Sequence, residues 1–467
     1  MAILQCSNCL SVFPVFPPKY SCEKCGNLLD FTYDFEELKD VELSKRFTFW
    51  KFKHYLPAVK NLVTLGEGGT PLHKAERLAK KLGLKNLYLK DETRNPTNSF
   101  RDRCAALMVS NALDYGLDSV ICASNGNMGA SMAAYCAKSG LTCNVVVPKM
   151  VDVGKLAQML IYDAVIEEHG ETVDESIVRA QALAKETGWY QATAEFNPLS
   201  IEAEKTISYE VVEQFEVPDC FVVSMGNGGT IYSLWKGFKD LYALQKIDKL
   251  PKMIGVQATG CAPIVDCFEE KASTVTEACE SYTHALGIFV KEPLNCKKAI
   301  QAINDSGGIA VTVQDSEIFA AEKEVARLEG VFAEPSSSAT IAALKKLLGT
   351  GVVAADESVV CLITGSGLKA TEALQALVKK RKTAKVGSEL STKEKILRIL
   401  AVEDTYGYDL WKKLGKTMTR AAIYQHLNGL AGRGVLVSYQ KDGRKYFRIT
   451  DRGKRALVAL DDLKLLL

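Results

Sequence analysis

At 467 residues the chain is too long for a single compact core, so two or three domains are expected. Its 47% hydrophobic and 24% charged residues are ordinary for a soluble globular protein, and no apolar run approaches the ~18 residues that would exclude this class in favour of a membrane span. The net charge of +2 hides an uneven division: residues 391–467 hold 16 Lys+Arg against 8 Asp+Glu, leaving 42 against 48 in residues 1–390. An acidic body with a basic tail points to a polyanionic partner for the tail.

The N-terminus reaches a cysteine pair at once, and no secretory leader pattern is visible. Residues 1–30 contain Cys6-Ser-Asn-Cys9 and Cys22-Glu-Lys-Cys25. Each pair offers two thiolates from a tight turn, and two such knuckles complete a closed, structural zinc site. A zinc-ribbon-like segment is therefore expected over 1–30, with Cys6, Cys9, Cys22 and Cys25 as ligands. Cys104, Cys122, Cys136, Cys143 and Cys361 sit among apolar residues and read as small hydrophobes, which fits a reducing cytoplasm.

From about residue 60 to 378, apolar runs alternate with amphipathic stretches. Strands are expected at Ser119–Ala123, Cys143–Val147, Cys220–Ser224, Ile254–Gln257 and Val359–Ile363, with helical periods at Ala130–Ser139 and Val173–Thr187. The alternation argues for a parallel α/β architecture with ligand loops at the carboxyl ends of strands, in a domain spanning 31–378. Ala123-Ser124-Asn125-Gly126-Asn127-Met128-Gly129 follows one strand and opens a helix. Ser224-Met225-Gly226-Asn227-Gly228-Gly229-Thr230 repeats that setting with more glycine, as a phosphate cradle requires. Thr364-Gly365-Ser366-Gly367-Leu368-Lys369 ends a third buried strand. Tight turns between strand and helix also select glycine, so the three loops argue together rather than singly.

A family resemblance joins them. Leu65-Gly66-Glu67-Gly68-Gly69-Thr70-Pro71-Leu72, Leu89-Lys90-Asp91-Glu92 and Asn95-Pro96-Thr97-Asn98-Ser99-Phe100-Arg101-Asp102-Arg103 resemble threonine synthase motifs. Gly154-Lys155-Leu156-Ala157-Gln158 and Glu334-Pro335-Ser336-Ser337-Ser338-Ala339 add to the match, which covers roughly residues 60–375. The resemblance implies the type II fold of pyridoxal-phosphate enzymes, two α/β lobes with the cofactor between them. It also implies that Asn127 meets the ring hydroxyl, that Gly226, Asn227, Gly228, Gly229 and Thr230 hold the phosphate, and that Thr364 faces the pyridine nitrogen.

One departure bears on chemistry. The family signature reads Asn-Pro-Thr-Gly-Ser-Phe-Lys-Asp-Arg, and its lysine forms the Schiff base; this chain has Arg101 there. That lysine must lose its proton to attack the aldehyde and then shuttle protons. A guanidinium, with a pKa of about 12 or above, stays protonated and is a poor nucleophile. Pyridoxal phosphate, if bound, is therefore expected to be held non-covalently. Asn98 and Cys104 replace family glycines, Met128 a threonine and Ser366 a histidine. The alternative is a relocated lysine, with Lys90 as the candidate.

Residues 379–390 are polar and basic and read as a linker. Residues 391–467 resemble a winged helix-turn-helix. Thr392 is placed to cap a first helix carrying Ile396, Ile399 and Leu400. Tyr408–Leu414 gives a second helix stopped at Gly415, and Thr419 to Gly432 a third. Turning Ile423, Leu427 and Leu430 inward leaves Arg420, Tyr424, Gln425 and Asn428 facing outward for a DNA groove. Val435–Gln440 and Lys445–Thr450 form a hairpin around Asp442-Gly443, with Arg444 and Lys445 at the wing tip and a final helix from Asp451.

The expected whole is a zinc-ribbon-like knuckle, a two-lobed α/β body and a winged helix domain. Its leading function is a ligand-sensing, DNA-binding transcriptional regulator built on a disarmed threonine synthase body. Double-stranded DNA, a small phosphorylated or amino-acid-like ligand and a second copy of the chain are its expected partners, with no membrane. The apolar end from Leu463 to Leu467 offers a dimer surface. Two alternatives stay open: an active threonine synthase acting on O-phosphohomoserine (or a related β-replacement enzyme), and a partner-binding scaffold.

Overall fold

The computed structural model describes residues 2–270, 282–371, 386–416 and 418–465, in two compact units, Met1–Gln375 and Ala376–Leu467. Among the described residues no helix is long and apolar enough to cross a membrane.

The first unit begins with a small antiparallel sheet of β1 (Ile3–Cys6), β2 (Val12–Phe13) and β3 (Leu29–Thr32), in the order β2-β1-β3. Alternation along β1 turns Leu4 and Cys6 inward and leaves Ile3 exposed. Leu4, Phe13, Leu29 and Phe31 enter the same core as Met132 and Cys104, so the sheet is built onto the body. Between two of these apolar anchors, the buried Asp30 carboxylate accepts from Lys236 Nζ at 2.6 Å and Tyr232 Oη at 2.7 Å.

Two parallel sheets form the body. The smaller, in the order β8-β7-β6-β9, comprises β6 (Ser119–Ala123), β7 (Thr142–Val147), β8 (Val165–Glu168) and β9 (Tyr190–Gln191). The larger comprises β4 (Leu72–Lys74), β5 (Asn86–Asp91), β10 (Cys220–Ser224), β11 (Lys252–Ala258), β12 (Ile309–Val313) and β13 (Ser358–Ile363). Its order is β12-β11-β10-β13-β5-β4, and only edge strand β4 runs antiparallel. β10 and β13 are buried at every position. Strands covered on both faces read as unbroken apolar runs, which is why the sequence pattern exposes them. Each expected strand is present to within a residue or two, and the helices Asn127–Ser139 and Val173–Thr187 contain the expected periods. Strands β5, β8 and β12 add to them.

The second unit packs helices Val386–Val402, Gly407–Lys413, Arg420–Gly432 and Asp451–Leu465 with a sheet ordered β14-β16-β15. These strands are β14 (Thr405–Tyr406), β15 (Leu436–Lys441) and β16 (Arg444–Ile449). Ile396, Leu400, Leu410, Ile423, Leu427, Leu430 and Phe447 form its core. Thr419 Oγ1 accepts from Ala422 N at 3.3 Å, capping the third helix, and Gly415 with φ 71° stops the second. Asp442 and Gly443 both take positive φ, the conformation a two-residue hairpin turn needs.

Two sequence expectations change here. Thr392 does not cap the first helix, which begins at Val386 and runs through Gly387 and Ser388 into the good helix formers Glu389 and Leu390. Residues 379–385 of the expected linker lie outside the described residues, and 386–390 are helical. Leu466 and Leu467 of the apolar end also lie outside them.

Candidate functional site

The carboxyl ends of β6, β10 and β13 open onto one cleft of the first unit. Arg101, Asn127, Lys155, Glu195, Glu204, Gly226 to Thr230, Glu334 and Thr364 are among the residues that line it. All the cofactor positions named from sequence therefore converge.

At the β10 end, Gly228 has φ 90°, and a Cβ there would lie 2.9 Å from both Asn295 O and Ala299 Cβ. The loop can pass only without a side chain, which leaves backbone N–H groups at the start of helix Gly229–Ala243 facing the cleft. Asn295 N donates to Asn227 Oδ1 at 3.1 Å and fixes that amide. Asn227 Nδ2 is buried with no partner, so a donor is left for an acceptor that is not part of the protein.

At the β6 end, Ser124 Oγ accepts from Gly126 N and Gly129 N, both at 2.9 Å, holding the loop closed. Asn127 Nδ2 donates to Glu334 Oε1 at 2.8 Å, while its Oδ1 is buried without a partner. Lys155 Nζ reaches Glu334 Oε2 at 3.0 Å. Thr364 Oγ1 shares a 2.7 Å hydrogen bond with Ser337 Oγ.

Arg101 opens helix Arg101–Asp114, and its Nη1 donates to Glu204 Oε1 at 2.5 Å. Its guanidinium stacks 4.5 Å from the Phe100 ring centroid. Despite burial, Glu204 and its neighbours hold the guanidinium above its ordinary range, so it is a permanent cation. Cys104 Sγ donates to the same Glu204 oxygen at 3.2 Å, and burial pushes that thiol up.

Lys90 is elsewhere. It is fully buried, with Nζ 2.7 Å from both Glu210 Oε2 and Thr70 O. Arg103 completes this network through Glu92 and Glu210 at 2.6–2.8 Å. The expectation that Lys90 could replace the missing amine is therefore corrected: it is absent from the cleft lining and committed to a buried ion cluster.

The chain matches the model of the pyridoxal-phosphate dependent enzyme family over residues 63–365. It belongs to that family. Residues 396–459 match the transcriptional regulator PadR-like family, and the second unit is a PadR-like winged helix domain. Threonine synthase of Methanocaldococcus jannaschii is 41% identical over 406 residues, covering 85% of this chain and 99% of that protein. That of Methanosarcina acetivorans is 41% identical over 373 residues, covering 78% and 92%. Among solved structures, the processed form of threonine deaminase isoform 2 from Solanum lycopersicum superposes with a TM-score of 0.57 at 22% identity, covering 72% of this chain and 97% of that one. The body is thus a threonine synthase-like member of the pyridoxal-phosphate family with the type II α/β fold.

Within that family frame the departures differ in kind. Asn98 keeps φ 63°, a conformation asparagine tolerates, and its backbone still accepts from Ser366 N at 3.0 Å. Replacing the glycine there leaves the local path intact. Met128 is buried at the cleft, and Ser366 Oγ accepts from Leu368 N at 3.3 Å. Sequence reading assigned no role to Lys155, Glu195, Glu204 or Glu334. Lys155 and Glu334 stand in motifs it quoted, but no spacing signal brings Glu204 to Arg101, 103 residues away.

In the PadR-like unit, Arg420, Tyr424, Gln425 and Asn428 are all exposed on helix Arg420–Gly432. Arg420 lies over the rings of Tyr408 and Trp411 at 4.6 and 4.8 Å. Tyr424 rests against Gly407, where a Cβ would meet its ring at 2.4 Å. Arg444 and Lys445 are exposed on the wing, over Tyr406 and Phe447 at 4.8 and 5.5 Å. Near the N-terminus, the sulfurs of Cys6, Cys9, Cys22 and Cys25 lie within 4.8 Å of one another. Backbone N–H groups of Asn8 and Lys24 point at Cys6 Sγ and Cys22 Sγ, each at 3.4 Å.

Proposed function

We propose that this protein is a ligand-sensing, DNA-binding transcriptional regulator whose threonine synthase-like body no longer performs the family reaction. The observation that carries this reading is Arg101, ion-paired to Glu204 where the family lysine belongs. The rest of the cleft suits the cofactor better. Gly226 and Gly228 pass close to Ile288 and Asn295 where a side chain would be crowded, Asn227 Nδ2 and Asn127 Oδ1 have no partner in the protein, and by the family resemblance Thr364 would face the ring nitrogen. When bound, pyridoxal phosphate supplies an aldehyde and an electron-withdrawing ring. Here the protein's own groups would grip its phosphate and ring edge but offer no free amine at position 101. A guanidinium already bonded to a carboxylate can neither attack a carbonyl nor carry a proton between carbon atoms.

The exposed residues of the third helix and wing support DNA as the second partner, with Arg444 and Lys445 on the backbone and Arg420, Gln425 and Asn428 at the base edges. A ligand can alter DNA binding only if it binds two arrangements of the protein unequally, so the expected signature is a ligand-dependent change in DNA affinity. A second copy of the chain would match paired half-sites in the DNA. The reading is tested by incubating the full chain with pyridoxal phosphate and O-phosphohomoserine and measuring phosphate release. No release above a protein-free control is expected; steady turnover would return the chain to the active threonine synthases.

That rival has one observation in its favour. Lys155 lines the cleft and carries a primary amine there, ion-paired to Glu334 at 3.0 Å. Turnover accompanied by covalent label on Lys155 would establish it.

The four N-terminal thiols are assigned a structural zinc ion. Protein purified without chelator should contain about one zinc per chain, and Cys22→Ser should remove it. Because Cys6 and Cys22 belong to the core shared with the body, metal loss should lower the melting temperature of the first unit by about 5 °C or more. A metal-free protein of unchanged melting temperature would show that the cluster is only a set of neighbouring thiols.

A further inference from the structure

The cleft carries a charge imbalance that its own side chains leave uncorrected. Arg101 is matched by Glu204 at 2.5 Å and Lys155 by Glu334 at 3.0 Å. Glu195 lines the same cleft, and among the described residues it forms no ion pair. Burial holds its carboxyl above the ordinary range; Glu204 and Asp174 act in the same direction, and Arg101 opposes them. A carboxylate in such a place is costly unless something cationic meets it.

An independent observation shows that the cleft is built for a ligand. Asn227 is only 8% exposed, and its Nδ2 has no partner although it lines the cleft beside the glycine loop and the first turn of helix Gly229–Ala243. An orphan donor, open backbone N–H groups and a helix N-terminus together call for an anion. The lining therefore asks for negative charge in the cradle and for positive charge at Glu195.

We infer that the cleft takes a phosphate monoester that also carries a protonated amine, with the phosphate at Gly226 to Thr230 and the ammonium at Glu195. The inference rests on the reading that a ligand is held here without attachment to residue 101. Arg101 does not oppose it, because Glu204 already balances the guanidinium. Among relatives of the family cofactor, the site then favours the aminated form over the aldehyde. By the family resemblance the group at the aldehyde carbon would meet residue 101, and Glu204 and Glu195 both act electrostatically on Arg101 in the same cleft. An ammonium donates charge-assisted hydrogen bonds to a carboxylate, an alcohol donates a weaker neutral one, and an aldehyde donates none.

The test uses the full wild-type chain and three probes that differ only at that carbon: pyridoxamine phosphate, pyridoxal phosphate and pyridoxine phosphate. Titration calorimetry should show pyridoxamine phosphate binding about tenfold more tightly than either of the others. In Glu195→Gln, with unchanged circular dichroism, pyridoxamine phosphate should lose about tenfold in affinity and this preference should vanish. Equal or tighter binding of the aldehyde or alcohol, no binding of the amine, or a preference that survives Glu195→Gln would each overturn the proposal. Because the wild-type comparison stands alone, an unfolded variant does not remove the test. If the aldehyde binds best yet non-covalently, this inference fails and the sensor reading stands. If the aldehyde attaches to a lysine and phosphohomoserine turns over, the sensor reading itself fails.

Discussion

Arg101→Lys is expected to attach pyridoxal phosphate covalently in a minor fraction of chains, and Arg101→Lys with Glu204→Gln in most of them. Lysine at this position restores an amine at the start of helix Arg101–Asp114, where the local backbone path survives through the positive φ of Asn98. The single variant inherits Glu204, which lies 2.5 Å from the present guanidinium. A carboxylate that close stabilises the ammonium and cuts the reactive neutral fraction about tenfold or more. Removing its charge should free the amine, so the two substitutions together should exceed the sum of their separate effects. Borohydride reduction followed by peptide mapping reads the fraction labelled at residue 101. An unlabelled double variant would mean that the cleft has drifted beyond its nucleophile, through Met128 or Cys104, and that the arginine alone does not explain the loss.

For Arg420→Ala combined with Arg444→Ala, DNA affinity at low salt should fall by about a hundredfold, and the slope of affinity against salt should fall by about one, from the phosphate contact of Arg444. Both side chains are exposed and hold their guanidiniums over aromatic rings, Arg420 over Tyr408 and Trp411 and Arg444 over Tyr406. Such stacking limits the orientations each side chain loses on binding. The two should differ in character. Arg444 at the wing should weaken all sequences alike, whereas Arg420 on the third helix should also change which sequences are preferred. Fluorescence anisotropy on a panel of duplexes at several salt concentrations measures both. Unaltered affinity in the double variant would place the DNA interface on another face.

Legibility in the sequence followed from how local each feature is. Strands β10 and β13 were visible because burial on both faces leaves nothing but apolar residues. Strand β5 lacks an unbroken apolar run because of Lys90 and Asp91; Lys90 is satisfied by Glu210 and Thr70 from distant segments, and Asp91 by Thr93 two residues on. The Asp-Gly turn and the Thr419 cap were readable because a few adjacent residues decide them. The start of the first helix of the second unit was misplaced because a good capping residue does not oblige a helix to begin there. In the cleft, the glycine loops and the missing lysine could be read from motif positions. The pairs Arg101–Glu204 and Lys155–Glu334 could not, since each joins segments far apart in sequence that meet only when the parallel sheets are assembled.

The central claim is that this cleft holds no reactive amine where the family chemistry needs one. Its most direct test is borohydride reduction of the wild-type full chain saturated with pyridoxal phosphate, followed by mass mapping of every lysine peptide. The account predicts no phosphopyridoxyl label above that of a denatured control. Stoichiometric label on one cleft lysine, Lys155 above all, would contradict it.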